Sequence, residues 1–290
     1  MEKQLIYLCE TGKLEELKEF LKNNPKLNIS VNNELPFMIA ACNGHIEILK
    51  FLLKIKPNIN IPAKDKQSFI AISSRGYLEV LKFLIEIKPD INTPTIIEEI
   101  FISAARYGHL EILIFLLKLR PNLNISTENE RSFIFAAENG HLEVLKFLLK
   151  IKPNLNISTN DEEAFLYAAW NGHLEVLKFL LKIKPNINIS IHNEAAFTSS
   201  ARQGHLENLK FLLKIKPDIN NKKAFREAAE NKHLHILKFL IQRNQKTHYL
   251  NLEIIDQEII NLILKYQTIN YKLTELNDLN NIPKYYLIIL

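Results

Sequence analysis

A glycine returns every 32 residues along this chain, at Gly12, Gly44, Gly76, Gly108, Gly140, Gly172 and Gly204. The text around it returns too. NGHLEVLKFLLKIKPNLNIS at 139–158 recurs almost letter for letter as NGHLEVLKFLLKIKPNINIS at 171–190. An eighth copy has Lys232 at the glycine position, 28 residues on, after a link shortened by four residues. A fixed period of this length marks a stack of identical supersecondary units, because one small unit cannot bury its apolar side alone. Eight copies therefore predict a solenoid over residues 1–244, with 245–290 as a separate segment.

Each copy reads as two short helices. The first is built on Phe133-Ile134-Phe135-Ala136-Ala137 and its equivalents, where two small residues let a neighbouring helix come close. The second runs from His141 to about Ile151, with Leu142, Leu145, Leu148 and Leu149 at helical spacing. Glu143, Lys146 and Lys150 fall on the opposite side. Pro153 ends it, since the residue before a proline is biased out of the helical region. Asn154-Leu-Asn-Ile-Ser then starts an extended link, and Asn160-Asp161 is a pair suited to a hairpin tip.

The unit resembles the ankyrin repeat, over about four fifths of the chain. Residues 34–60, ELPFMIAACNGHIEILKFLLKIKPNIN, carry the resemblance most fully, with Pro36, Phe37, Ala40-Ala41 and Gly44-His45 at the family's Pro, Leu, Ala-Ala and Gly-His positions. The resemblance implies an all-α solenoid of helix-turn-helix units joined by short β-hairpin or extended loops, acting as a protein-binding surface. Three departures stand out. The family's Thr-Pro-Leu-His tetrapeptide survives only as Pro36. The turn glycine after the second helix is Lys56, Lys88, Arg120, Lys152, Lys184 or Lys216, so a left-handed cap there is expected to be strained or absent. The period is 32 against a family norm of about 33, which predicts a tightened hairpin.

Several features look chemical. Histidines recur at 45, 109, 141, 173, 205 and 233. Equivalent atoms in adjacent copies sit about 10 Å apart, whereas ligands of one zinc lie about 2 Å from it, so the column reads as structural, bonding backbone near the start of each second helix. Asn28, Asn124, Asn156 and Asn188 begin Asn-Ile-Ser sequons. The column continues without Ser at Asn60, Asn92 and Asn220, so it too reads as structural. Glu47/Lys50, Glu79/Lys82, Glu143/Lys146 and Glu175/Lys178 are solvated ion pairs, worth a few tenths of a kcal/mol each. No phosphate loop, nucleophile elbow or Cys/His metal spacing occurs, so no enzyme, cofactor or metal is expected.

What differs between copies is more informative. In the ankyrin fold, the resemblance implies, the residue before the Ala pair and the two after it line the concave groove. Here those positions hold Arg106, Tyr107, Phe135, Tyr167, Trp170 and Arg202, across four consecutive copies. Tyr, Trp and Arg dominate binding hot spots. The expected partner site is therefore the groove of copies four to seven, supplemented by link tips that vary: Lys64-Asp65-Lys66, Thr95-Ile96-Ile97, Glu128-Asn129-Glu130 and Asp161-Glu162-Glu163.

Composition narrows the class. A net charge of +5 with Lys and Glu interleaved is not the concentrated basic patch of a nucleic-acid binder. No stretch approaches the roughly 20 apolar residues of a membrane span, no signal peptide is evident, and two cysteines make no disulfide framework. An intracellular, cytoplasmic protein is expected. The Ile, Asn and Lys content hints at an AT-rich genome, as in giant viruses or intracellular microbes, and hence at a host-interaction role in a host cytoplasm. Residues 250–266 pattern as an amphipathic helix, expected to cap the last copy. Glu258 to Tyr266 also resembles an F-box core, which gives an alternative role as a ubiquitin ligase substrate adaptor, though the Leu-Pro that precedes such a core is replaced by Ile255-Asp256.

Overall fold

The computed structural model describes residues 1–60 and 66–243. Among them are sixteen α-helices and no strand. The chain forms two compact units, Met1–Ala164 and Phe165 onward. The expected capping segment 245–290, the F-box-like run and the tip residues Lys64-Asp65 lie outside the described residues.

The first unit alternates first and second helices: α1 (Glu2–Glu10) and α2 (Leu14–Asn23), α3 (Val31–Cys42) and α4 (Ile46–Ile55), α5 (Lys66–Ser74) and α6 (Leu78–Ile87), α7 (Pro94–Arg106) and α8 (Leu110–Leu119), α9 (Thr127–Glu138) and α10 (Leu142–Ile151). Helix α11 (Thr159–Trp170) carries the boundary between the units. The second unit continues with α12 (Leu174–Ile183), α13 (Ile191–Gln203), α14 (Leu206–Ile215), α15 (Lys222–Glu230) and α16 (Leu234–Arg243).

The core is as periodic as the sequence. Phe37, Phe69, Phe101 and Phe133 in the first unit, and Phe165 and Phe197 in the second, are fully buried. Each contributes about 1.5–3 kcal/mol of apolar burial. The small pair is buried completely at Ala40-Ala41, Ala104-Ala105 and Ala136-Ala137. Second helices bury one stripe, such as Val144, Leu145 and Leu148 in α10, and keep Glu143 and Lys146 in water, 2.7 Å apart. The pairs at Glu47/Lys50, Glu79/Lys82 and Glu175/Lys178 form in the same way, at 2.6–2.7 Å.

Gly and His interlock successive repeats. Gly76 has φ +77. A Cβ built there would lie 2.7 Å from His109 of the next repeat, whose Nε2–H donates to the Ser74 carbonyl at 2.8 Å. His45 reaches back to the Glu10 carbonyl in the same manner, at 2.9 Å. The histidine column is thus structural, and its acceptor lies in the preceding repeat.

The links depart from the hairpin that the resemblance implies. Lys152 O and Leu155 N close a turn at 3.1 Å. Next, Asn156 Oδ1 accepts the Ser158 amide at 3.2 Å, and Asn28, Asn124, Asn188 and Asn220 do the same for the amide two residues on. That is the structural demand behind the asparagine column. The chain then makes one left-handed turn: Asn32, Asn33 and Glu34 have φ of 50, 56 and 64, and the same occurs at 128–130, 160–162 and 192–194. Non-glycine residues here cost about 1–2 kcal/mol each.

A polar cluster offsets that strain. The turn's final glutamate points inward: Glu34, Glu130 and Glu162 are buried. Ser126 and Ser158 donate to Glu130 and Glu162, each at 2.5 Å. Lys56 bonds Ser30 and lies 3.0 Å from Glu34; Lys152 bonds Ser126 and lies 3.5 Å from Glu130; in the second unit Lys216 bonds Ser190 and lies 3.1 Å from Glu194. These lysines are the residues at the family's turn-glycine position. Their backbone is not left-handed at all, with φ of −132 at Lys56 and −136 at Lys152, so glycine is not needed there. Of the two outcomes expected for the left-handed cap, strained or absent, it is absent.

Where the link sequence changes, the geometry follows. Asn-Thr-Pro replaces Asn-Ile-Ser at 92–94; Thr93 caps α7 by accepting the Ile96 amide, and Pro94 takes its first turn. No left-handed turn forms there. The residue at the lysine position is now Arg120, whose Nε donates to Asn92 Oδ1 at 2.7 Å. Ile97, read from sequence as part of an apolar tip, is fully buried in α7.

Candidate functional site

The six residues singled out in the sequence fall into two clusters, one in each unit. In the first, Arg106 ends α7 and lays its guanidinium 3.5 Å from the centroid of Phe135, a half-buried residue of α9. Arg131, one helical turn before Phe135, approaches the same ring at 4.9 Å. Residues four apart share a helix face, so that approach follows from the sequence spacing, although Arg131 was not singled out from it. Arg131 pairs with Glu128 of the left-handed turn. Arg106 has a carboxylate nearby, Glu138 Oε2 at 3.8 Å, which is beyond hydrogen-bond reach.

Tyr107 caps α7 and is 52% exposed. In the second, fifth and eighth repeats the equivalent residue is an asparagine that folds back on its own helix: Asn43 donates to the Ile39 carbonyl at 2.8 Å, Asn139 to Phe135 at 2.9 Å and Asn231 to Glu227 at 2.8 Å. A tyrosine cannot make that bond. Tyr107 caps the helix through its backbone N–H alone and presents a ring to solvent.

In the second unit, Trp170 ends α11 and is 42% exposed; Tyr167, one turn earlier, is 37% exposed. The Trp170 carbonyl accepts His205 Nε2–H at 2.9 Å, which fixes its backbone while leaving the indole outside. Arg202 of α13 holds its guanidinium 5.9 Å from the Trp170 ring, with Nε 3.4 Å from Glu227 Oε2.

A separate hollow of about 450 Å³ in the first unit is lined by Asn32, Asn33, Leu35, Met38, Ile39, Cys42 and Ser68. Sequence reasoning assigned nothing there, because its walls come from the left-handed turn that the resemblance did not imply. Among the described residues no group of three His, Cys, Asp or Glu could hold a metal ion, and no helix is long and apolar enough to cross a membrane.

Stacked helix pairs with a Gly-His interlock and an aromatic, arginine-bearing first-helix face define a repeat scaffold. The family described as ankyrin repeats (three copies) matches residues 3–65, 68–161, 101–193 and 165–251, so the chain belongs to the ankyrin-repeat family. Ankyrin repeats are generally protein–protein interaction modules and typically non-enzymatic. Among solved structures, the chain is similar to the human ASB11 ankyrin repeat domain, at 18% identity and a TM-score of 0.50, over 71% of this chain and 96% of that one. It is also similar to an ankyrin repeat family protein from Legionella pneumophila, at 21% identity and a TM-score of 0.46, over 88% of this chain and 82% of that one. No curated protein matches at a significant level.

Proposed function

We propose that the chain is a non-enzymatic interaction scaffold. It binds a partner protein through its first-helix face, at Arg106, Tyr107 and Phe135 in the first unit and at Tyr167, Trp170 and Arg202 in the second, with help from the outward residues of the left-handed turns. The observation that carries this reading is the exposure of Tyr107, Tyr167 and Trp170 at or near the ends of first helices and beside arginines, with Tyr107 standing where a capping asparagine would stabilise the helix. Large exposed aromatics next to arginine are what hot spots are made of. The acidic tips contribute less than their sequence suggests, since Glu130 and Glu162 point into the fold.

The test is to raise binders against the full chain by protein display and compare affinities across variants. Tyr107→Ala and Trp170→Ala should each weaken a groove binder about tenfold or more, the scale of a hot-spot truncation above 1 kcal/mol. Lys146→Ala, on the outer helix face, should leave it unchanged. Equal affinity for all three variants would end the proposal. The adaptor reading rests on the run Glu258 to Tyr266 alone; a direct binding assay with the purified ligase adaptor decides it, and absence of binding rejects it.

A further inference from the structure

In three repeats the interlocking glycine directly follows an asparagine: Asn43-Gly44, Asn139-Gly140 and Asn171-Gly172, and the sequence holds no other Asn-Gly pair. The fold uses both residues. The glycines have φ of +80, +77 and +82. The asparagines close their helices through the side-chain amide, which donates to the carbonyl four residues back: 2.8 Å from Asn43 to Ile39, 2.9 Å from Asn139 to Phe135 and 3.2 Å from Asn171 to Tyr167.

The same pairing is a chemical weak point. Glycine has no side chain to shield its nitrogen, and its backbone is the most mobile of any residue. In an opened chain that nitrogen can attack Cγ of the asparagine. A new N–Cγ bond closes a succinimide ring, the Cγ–Nδ2 bond breaks, and ammonia leaves with the glycine's amide proton. Water then opens the ring to give aspartate or its isomer linked through the side chain.

The folded cap opposes this step in two ways. At Asn43 and Asn139 ψ is 8, so the glycine nitrogen eclipses the asparagine's own nitrogen and is turned away from Cγ. The glycine N–H also donates to its helix, at 3.1 Å from Gly44 to Ala41, 3.2 Å from Gly140 to Ala137 and 3.4 Å from Gly172 to Ala169. Attack therefore waits for the last helical turn to open. The three sites are not equally held. Asn43 has the shortest bond of each kind and is half-buried, and Arg75 of the next repeat bonds the adjacent Cys42 carbonyl. Asn139 and Asn171 are exposed. Refolding does not reverse the change. Aspartate has no N–H to return to the carbonyl, and its charge meets the negative end of the helix.

We propose that Asn139 and Asn171 are self-modification sites: each deamidates spontaneously when its helix end opens, and conversion leaves that end unlatched. Asn43 is the protected copy. The turn loosened at Asn171 begins at Tyr167 and contains Trp170, so the modification alters the candidate site whatever partner it takes.

The test incubates the full chain at mildly alkaline pH, folded and in guanidinium chloride, and follows each asparagine by peptide-mapping mass spectrometry. In the denaturant the three sites should convert at similar rates. In the folded chain Asn139 and Asn171 should convert about tenfold more slowly or less, since two hydrogen bonds must open first, and Asn43 slowest of all. Equal rates folded and denatured, no conversion in the folded chain over weeks, or Asn43 leading would each overturn the proposal. Asn139→Asp reproduces the product. Amides 139–141, which bond back into α9, should then exchange hydrogen about tenfold faster, with Asn139→Ala giving part of that effect. Unchanged exchange in Asn139→Asp would overturn the unlatching.

Discussion

The Gly-His interlock can be taken apart by measurement. Gly76→Ala carries two separable costs. The first is backbone: at φ +77 a side chain costs about 1 kcal/mol relative to glycine. The second is steric, since the new Cβ would sit 2.7 Å from Cε1 and Nδ1 of His109. The imidazole must move, and its bond to the Ser74 carbonyl, 2.8 Å long, is lost, for about 0.5–1.5 kcal/mol. The sum is about 1.5–2.5 kcal/mol. His109→Ala alone should cost about 1–1.5 kcal/mol. In the double variant no ring is left to displace, so only the backbone cost is added to the histidine loss. The two substitutions should therefore fall short of additivity by about 1 kcal/mol. Urea unfolding followed by far-UV circular dichroism reads the energies. Hydrogen exchange of the amides in α6 and α7 localises them, because repeat arrays can unfold in more than one step. Additive costs, within about 0.3 kcal/mol, would refute the interlock. Lys232 supplies the internal reference. It holds φ +57 at the glycine position of the last repeat, so Lys232→Gly should stabilise the chain by about 1 kcal/mol.

Two further outcomes are expected. Lys152→Met strips the cation from the nearly buried Glu130 and should destabilise the first unit by about 1–3 kcal/mol in the same unfolding assay; adding Glu130→Gln should recover part of the loss, and no recovery would contradict the cluster. The Cys9 thiol, fully buried, is pushed from its ordinary 9.0 up to about 12 by loss of solvation, whereas Cys42 is half-exposed. The folded chain holds the Cys9 proton longer than the unfolded chain, so this site leaves stability unchanged below pH 9 and lowers it as pH climbs from 9 towards 12. A thiol reagent at neutral pH should modify Cys42 first and reach Cys9 only after denaturation. Equal rates would contradict the burial.

The sequence shows those parts of the fold that depend on one residue type recurring at one spacing. The 32-residue glycine, the histidine that meets it and the leucine stripe of each second helix are of this kind, and they specified the helix pairs closely. The left-handed turn of the link was not legible because its decisive contact joins residues 22 apart in different elements. Glu34 and Lys56 look like two surface charges until the left-handed turn aims one at the other. Local propensity pointed away from that turn as well, since nothing but Asn, Asp and His in its first two positions favours positive φ, and the strain is offset only by the finished cluster. The candidate site was legible as a set of residue types. Which side chains meet was not: Arg106 finds Phe135 in the next repeat, while Arg202 finds Trp170 in the preceding one.

The serine, glutamate and lysine of each cluster also bear on how such an array can be lengthened or shuffled. Ser30, Glu34 and Lys56 must be inherited together, as must Asn92 and Arg120 in the proline-bearing link. An exchange between copies that breaks inside residues 34–56 would join a lysine to a proline link, or an arginine to a buried glutamate. A break at residues 57–60, just past Lys56, separates no such partners. The glycine, histidine and asparagine columns tolerate any phase, since nearly every copy carries them. The array is therefore modular at the link that follows each second helix, and a designed insertion or deletion of repeats should be cut there.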